Sequence, residues 1–240
     1  MTLNLMGKRA LVTGGTRGIG RAIAERLLEA GAGVAICGRE EAGVAAAVGE
    51  MDRVFTSSRL KVLGRAADVR SESSVRSLFD WLDGALGGPD ILVNNAGVGV
   101  FKDLASMEPQ EWRTVMGTNL DGVYHCCHQA LPRMRQAGGG WIINISSLAG
   151  KNAFAGGAAY NASKFGLCGM SEAVMLDHRY EGVRVSTVMP GSVSTDFGQG
   201  RADWKIAPED VAEAVAAILA MPERTLMSCV ELRPSRPPRR

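Results

Sequence analysis

A chain of 240 residues has room for one large domain or two small ones, and an α/β protein of this length is commonly a single unit. Lys and Arg number 27 against 25 for Asp and Glu, and 5% of residues are aromatic, so no strong basic field marks a nucleic-acid binder and a small molecule is the expected partner. No apolar run approaches the roughly 20 residues of a membrane span, the opening Met1-Thr-Leu-Asn-Leu5 lacks a signal peptide's layout, and the five cysteines form no secreted framework, which predicts a cytoplasmic protein with reduced thiols and no membrane contact.

From Lys8 onward short apolar runs alternate with longer helical stretches, the pattern of βα units and a parallel sheet. Arg9–Thr13 is the first strand, followed by a glycine-rich turn and a helix to about Ala30. Gly33–Cys37 is the second, followed by an alanine-rich helix from about Glu41. Leu60–Ala67 reads as the third, with Ser71 as N-cap of the next helix, and Asp90–Asn94 as the fourth. Pro109 stands in the first turn of a long helical stretch reaching about Gln136, after which comes the strand Gly140–Ser146. A helix carrying Tyr160 and Lys164 leads to the strand Val183–Met189, ended by Pro190-Gly191. Pro208 opens the last helix and Met227–Leu232 is the final strand. Residues 1–232 form one domain, and the proline- and arginine-rich 233–240 is predicted to be an extended basic tail.

Tyr160 and Lys164 are four residues apart, so on a helix their side chains share a face about one turn apart. An ammonium beside a phenol favours the phenolate and lowers its pKa from about 10. Ser147, at the end of a strand just before this helix, would hydrogen-bond the same substrate oxygen that Tyr160 protonates. The trio points to chemistry at a C–O bond.

Thr13-Gly-Gly-Thr-Arg-Gly-Ile-Gly20 lies where a strand becomes a helix, and its glycines permit a tight turn and close approach of the backbone to a pyrophosphate. The helix N-terminus then faces the anion. The stretch lacks the G-K-[ST] ending of a nucleotide-triphosphate loop, which disfavours an NTPase. At the second strand's tip, Cys37-Gly38-Arg39 offers no carboxylate for a ribose hydroxyl but a cation for a 2′-phosphate, with Arg17 as a second. NADP(H) is therefore expected over NAD(H), against the competing presence of Glu40 and Glu41 downstream.

These motifs, with Asn94-Asn-Ala-Gly97, Asn119 and Pro190-Gly191 in the same order, resemble the short-chain dehydrogenase/reductase family over essentially the whole chain. The resemblance implies a doubly wound Rossmann fold, a seven-stranded parallel sheet with helices on both faces. It implies a catalytic tetrad of Asn119, Ser147, Tyr160 and Lys164, with Asn119 bending its helix. It further implies cofactor contacts from Gly14, Thr16, Arg17, Gly18, Ile19, Gly20 and Arg39, from Asp68 and Val69 at the adenine, and from Asn95, Ala96 and Gly97 at the adenosine ribose. Val193 and Thr195 would hold the nicotinamide amide beside Pro190 and Gly191, and Tyr160 and Lys164 count among the contacts as well. The family's habit of forming dimers and tetramers implies a homo-oligomer.

By the same resemblance the activity is NADP(H)-dependent reduction of a ketone to a secondary alcohol, with a 3-oxoacyl thioester as leading substrate. Sugars, steroids, pterins and xenobiotic carbonyls are alternatives, and the ending Val230-Glu-Leu-Arg-Pro234 departs from the Asp-Gly-Gly common among acyl-carrier reductases. Substrate choice is expected between Gly150 and Ala159 and between Asp196 and Ala207, segments whose small residues predict an open cleft. A non-enzymatic NADP-binding sensor is the second reading, disfavoured by the filled tetrad. DNA binding through the tail is a third. His125-Cys-Cys-His128 has no second pair of ligands and reads as a packed helix face, so no metal is expected.

Overall fold

The computed structural model describes residues 3–55, 62–197, 200 and 202–238. Its seven strands are β1 (Arg9–Thr13), β2 (Gly33–Gly38), β3 (Val62–Ala66), β4 (Ile91–Asn94), β5 (Gly140–Ile145), β6 (Val183–Pro190) and β7 (Cys229–Leu232). All pair in parallel, in the order β3-β2-β1-β4-β5-β6-β7. Strand side chains alternate between the two faces of a sheet, and here both faces are apolar. Ala10, Val12, Val34, Ile36, Ile91 and Val93 join one buried cluster, while Leu11, Ala35, Leu92 and Ile142 join the other. Helices α1 (Gly18–Glu29), α2 (Glu41–Phe55) and α7 (Pro208–Leu219) cover the first face. Helices α3 (Glu72–Leu86), α5 (Gly122–Gln136) and α6 (Ala158–His178) cover the second. The doubly wound sheet expected from the resemblance is what the chain adopts.

The strand order reverses beside β1: β2 and β3 lie to one side of it, β4 to β7 to the other. Ligands of such sheets bind beyond the carboxyl ends of the strands at this switch point. Ser71 caps α3 as predicted, its hydroxyl accepting the Ser74 N–H at 3.3 Å, and Gly87 ends that helix in a left-handed conformation with φ of 86°.

The long stretch expected from Pro109 to Gln136 is continuous but not uniformly α. Helix α4 (Pro109–Met116) runs into a π-helical turn over Gly117–Asp121, where the Gly122 N–H reaches back to the Gly117 carbonyl, and α5 follows. The turn centres on Asn119, and such bulges often sit at functional sites. Gly122 has to be a glycine, because a Cβ there would lie 2.7 Å from Cγ2 of Val69. Strand β7 starts at Cys229, two residues later than predicted; Leu60 and Lys61, expected to open β3, fall outside the described residues. Residues 233–238 run without helix or strand, with Arg233 paired to Glu231 at 2.8 Å. Among the described residues no helix is long and apolar enough to cross a membrane.

Candidate active site

Strand β5 ends at Ile145, and the turn that follows it is stitched to α6. The Lys164 ammonium donates to the Ile145 carbonyl at 2.9 Å, the Ser146 hydroxyl donates to the Lys164 carbonyl at 3.4 Å, and the Asn161 amide donates to the Ala149 carbonyl at 2.9 Å. Close approach demands a small residue at Gly150, where a Cβ would lie 2.7 Å from the Lys164 carbonyl oxygen. Tyr160 and Lys164 share one face of α6 as their spacing predicts, with Nζ 5.8 Å from the centre of the phenol ring. Ser147 stands at the end of β5, its hydroxyl accepting the Ala149 N–H at 3.1 Å and hydrogen-bonded to Tyr160.

Asn119 is fully buried, and the π turn aims its side chain at two neighbouring segments. Its Oδ1 accepts the Val98 N–H at 2.8 Å and its Nδ2 donates to the Val98 carbonyl at 2.9 Å. Nδ2 also donates to the Ser163 hydroxyl at 3.1 Å, which in turn donates to the Tyr160 carbonyl at 2.8 Å. One amide thereby locks the loop after β4 to the helix that carries Tyr160. Nothing in the spacing of Ser163 distinguishes it from a packing residue.

The electrostatics differ from the sequence expectation. Burial raises the Tyr160 pKa above that of a free phenol, and its hydrogen bond with Ser147 opposes the shift only in part. Burial also pushes the Lys164 ammonium down to about 8. For both groups desolvation is the largest cause of the shift, rather than the partner that proximity in sequence suggested. The phenol therefore stays protonated at neutral pH, the form that donates a proton.

The glycine turn is built for a ligand rather than for economy of chain. Gly14 and Gly18 have φ of 63° and 56°, which only glycine adopts without strain, and a Cβ at Gly20 would lie 2.3 Å from the Gly14 oxygen. Asn95 spends its side-chain amide on the carbonyls of Thr13 and Gly14, at 3.0 and 3.1 Å, so it braces the turn. Thr13, the first residue of the glycine motif, is the hub: its hydroxyl accepts the N–H groups of Asn95 and Ala96 at 3.0 and 3.1 Å. Arg17 precedes α1 without capping it by its side chain, and no acidic residue occupies the first turn, so those N–H groups are left to an anion. Gly38 lies against Thr16, which brings the exposed Arg39 to the rim of the turn. Thr195 reaches Gly18 from across the cleft, its Cγ2 3.3 Å from where a Cβ would stand. Ile19 packs on the core. Pro190 closes β6, and the Gly191 N–H donates to the Leu232 carbonyl at 2.8 Å, while Val193 bridges to Ile206.

Asp68 and Val69 stand apart from this group, at the end of β3. The Asp68 carboxylate is held by Arg70 at 2.6 Å, and the guanidinium keeps it below the usual carboxylate range. Val69 is buried, and its carbonyl accepts from His125 Nδ1 at 2.9 Å. Cys126 and Cys127 face the core beside it, where burial raises both thiols, Cys127 to about 12. Within the His125-Cys-Cys-His128 stretch the two cysteines are the packed face that was expected, while His128 is exposed. Gly97 sits at Asn119 Oδ1, 3.5 Å from an added Cβ.

Residues 8–206 match the family profile of the short chain dehydrogenases. The protein belongs to the short-chain dehydrogenase family. This chain is 36% identical over 234 residues to the 3-oxoacyl-(acyl-carrier-protein) reductase FabG of Vibrio cholerae, a match covering 92% of this chain and 93% of that one. It is 40% identical over 201 residues to an NADP-dependent (R)-specific alcohol dehydrogenase of Lentilactobacillus kefiri, covering 81% and 77%. A metagenomic short-chain oxidoreductase crystallised with NADP superposes with a TM-score of 0.85 at 36% identity, covering 97% of this chain and 99% of that one.

Three phenylalanines also stand at the site. Phe101, in the loop that Asn119 pins, lies edge-on to Tyr160 with ring centres 5.4 Å apart. Phe197 tilts over the same tyrosine at 6.0 Å, and Phe154 meets Phe101 at 5.9 Å. Phe154 and Phe197 lie in the two segments expected to choose the substrate, and with Phe101, which lies in neither, they rim the cleft with aromatic rings.

Proposed function

We propose that the protein is an NADPH-dependent reductase that converts a ketone to a secondary alcohol, with Tyr160 as the proton donor and Asn119, Ser147 and Lys164 as its partners. The observation that carries this reading is a partly buried phenol, hydrogen-bonded to a serine and one turn from a lysine, at the carboxyl ends of β4 and β5. The cofactor site supports it: Gly14, Gly18 and Gly20 leave backbone where side chains would intrude, and the uncapped start of α1 suits a pyrophosphate. Thr16, Arg17, Ile19, Asn95, Ala96, Gly97, Pro190, Gly191, Val193 and Thr195 would complete the cradle, with Asp68 and Val69 at the adenine end. Arg17 and Arg39 would meet a 2′-phosphate, and NADP in the similar crystal structure and the NADP-dependent relative favour the same choice.

When bound, NADPH supplies the hydride that reduces the carbonyl carbon. Tyr160 gives its phenolic proton to the carbonyl oxygen as negative charge builds there, and Ser147 donates a hydrogen bond to the same oxygen. The phenolate left behind is offset by the neighbouring Lys164 ammonium. Through Ser163, Asn119 holds the backbone of Tyr160 and so its aim. A 3-oxoacyl thioester is one substrate the relatives suggest, and an unactivated ketone the other.

The test is a spectrophotometric screen of NADPH and NADH oxidation by the full-length protein against β-ketoacyl thioesters, aryl and alkyl ketones, diketones, quinones and sugars. Turnover with NADPH and a ketone is expected. Preference for NADH would overturn the cofactor assignment, and inertness toward every carbonyl would overturn the reaction.

A further inference from the structure

We propose that Phe101, Phe154 and Phe197 form a substrate subsite over Tyr160 that takes the ring of an aryl or alicyclic ketone. The inference rests on Tyr160 as the reacting acid and adds what stands against it.

Three of the chain's six phenylalanines converge on one tyrosine. They come from different connections: Phe101 after β4, Phe154 after β5 and Phe197 after β6. Phe101 is central, with ring centres 5.4 Å from Tyr160, 5.9 Å from Phe154 and 6.4 Å from Phe197. All three remain 44–47% exposed, whereas Phe79 of α3 is fully buried. Phe165 of α6 is exposed to the same degree, so it is convergence on one tyrosine, and not exposure alone, that sets these three rings apart. A contiguous exposed apolar patch marks a binding surface.

The backbone is shaped to receive them. A Cβ at Gly99 would lie 2.6 Å from Cζ of Phe101 and 3.1 Å from Cζ of Phe197, and one at Gly157 would lie 2.5 Å from Cε2 of Phe154. Two glycines thus let three rings settle close to the main chain. Asn119 holds Val98, three residues before Phe101, by both of its backbone polar groups.

Geometry and charge then choose the guest. The ring planes meet at 46° to 82°, leaving edges and faces turned at several angles, an arrangement another ring joins by tilted or edge-to-face contact. A rigid ring also loses less conformational freedom on binding than an alkyl chain does. Lys102 and Lys151, in the connections of Phe101 and Phe154, are already paired, with Glu111 at 2.7 Å and with Glu231 at 2.6 Å, and Lys205 in the connection of Phe197 donates to the Gly200 carbonyl. The two carboxylate-paired lysines add little attraction for an anionic carrier and leave the rings to select an uncharged ketone.

The experiment compares acetophenone with a straight-chain methyl ketone of equal carbon number, using full-length protein and NADPH. Wild type should show kcat/KM at least about tenfold higher for acetophenone. Phe101→Ala should lower the acetophenone value about tenfold through KM, a clearly larger loss than on the straight-chain ketone, and leave NADPH affinity unchanged. Gly99→Ala keeps every ring but displaces two of them, and should erode the same preference. Equal loss on both ketones, or a wild-type preference for the straight chain, overturns the subsite. Should neither ketone be reduced, ligand-observed NMR with NADP⁺ present decides. Saturable acetophenone binding by wild type that Phe101→Ala abolishes upholds the subsite while the reductase reading falls; absence of binding to wild type overturns the subsite itself.

Discussion

The inner wall of the site and its outer rim are built on opposite terms. Inside, Asn119, Ser163 and Lys164 are almost wholly shielded from solvent, and each polar head has a partner within about hydrogen-bond distance on the chain. Outside, Phe101, Phe154 and Phe197 hold apolar surface in water and touch mainly one another and Tyr160. Buried polar groups are costly unless satisfied, so the inner wall is tied to folding and tolerates little change. The rim contributes little to folding and is free to be chosen for its ligand. Tyr160 belongs to both, since its backbone is anchored inside and its ring is edged by phenylalanine outside.

That shared position makes Tyr160 the sharpest place to divide structure from chemistry. Tyr160→Phe keeps the ring and its neighbours and removes only the hydroxyl. Reduction should fall by about 10²–10⁴-fold, while NADPH affinity and melting temperature hold. Turnover at the wild-type rate in this variant would remove the tyrosine from the reaction.

The next largest effect concerns the buried lysine. With its folded pKa pushed down to about 8 from 10.5, Lys164 opposes folding while charged, and the penalty is present in full below about pH 8. As pH rises from about 8 to 10.5 the unfolded chain holds more protons than the folded one, so stability is regained. Lys164→Met lacks this dependence. The urea-unfolding free energy of wild type minus that of Lys164→Met should therefore climb by on the order of 3 kcal/mol across the window and stay level below it. Comparing the two proteins cancels the buried thiols, whose raised pKa values pull the other way at alkaline pH. A difference insensitive to pH would mean the ammonium is not desolvated.

Asn119→Ala should destabilise the protein by about 2 kcal/mol, because the Val98 N–H loses its acceptor inside the fold. The same variant frees the loop carrying Phe101, so the preference between ring and chain ketones should weaken along with stability. Loss of stability with selectivity intact would separate the inner wall from the rim more completely than the geometry implies.

The sequence disclosed the inner wall far better than the rim, for a physical reason. Strand alternation, the glycine turn and the four-residue spacing of Tyr160 and Lys164 are local patterns, and each local pattern met its partner where a parallel sheet requires. Asn119 in a helical stretch was a visible anomaly, and the π turn accounts for it. What stayed hidden depended on burial or on contacts between distant segments. Proximity of Lys164 to Tyr160 suggested a lowered phenol pKa, yet desolvation, which spacing does not reveal, decides its direction. Phe101, Phe154 and Phe197 lie in three connections without periodicity, and no window of sequence contains more than one of them. Thr13 and Ser163 look like ordinary small polar residues until the strands and helices bring N–H groups to them.

The smallest effect expected is also the one that tests the rim most directly. Phe154 is about half exposed, rests on Gly157 and meets Phe101 at 5.9 Å without touching the core clusters. Phe154→Ala should therefore change stability by about 1 kcal/mol or less, read as a shift in the urea midpoint at unchanged slope. A ring placed for folding would behave like a buried phenylalanine, whose truncation removes about 3–5 kcal/mol. A loss of that size would make the rim part of the core after all, and its exposed rings would no longer need a substrate to explain them.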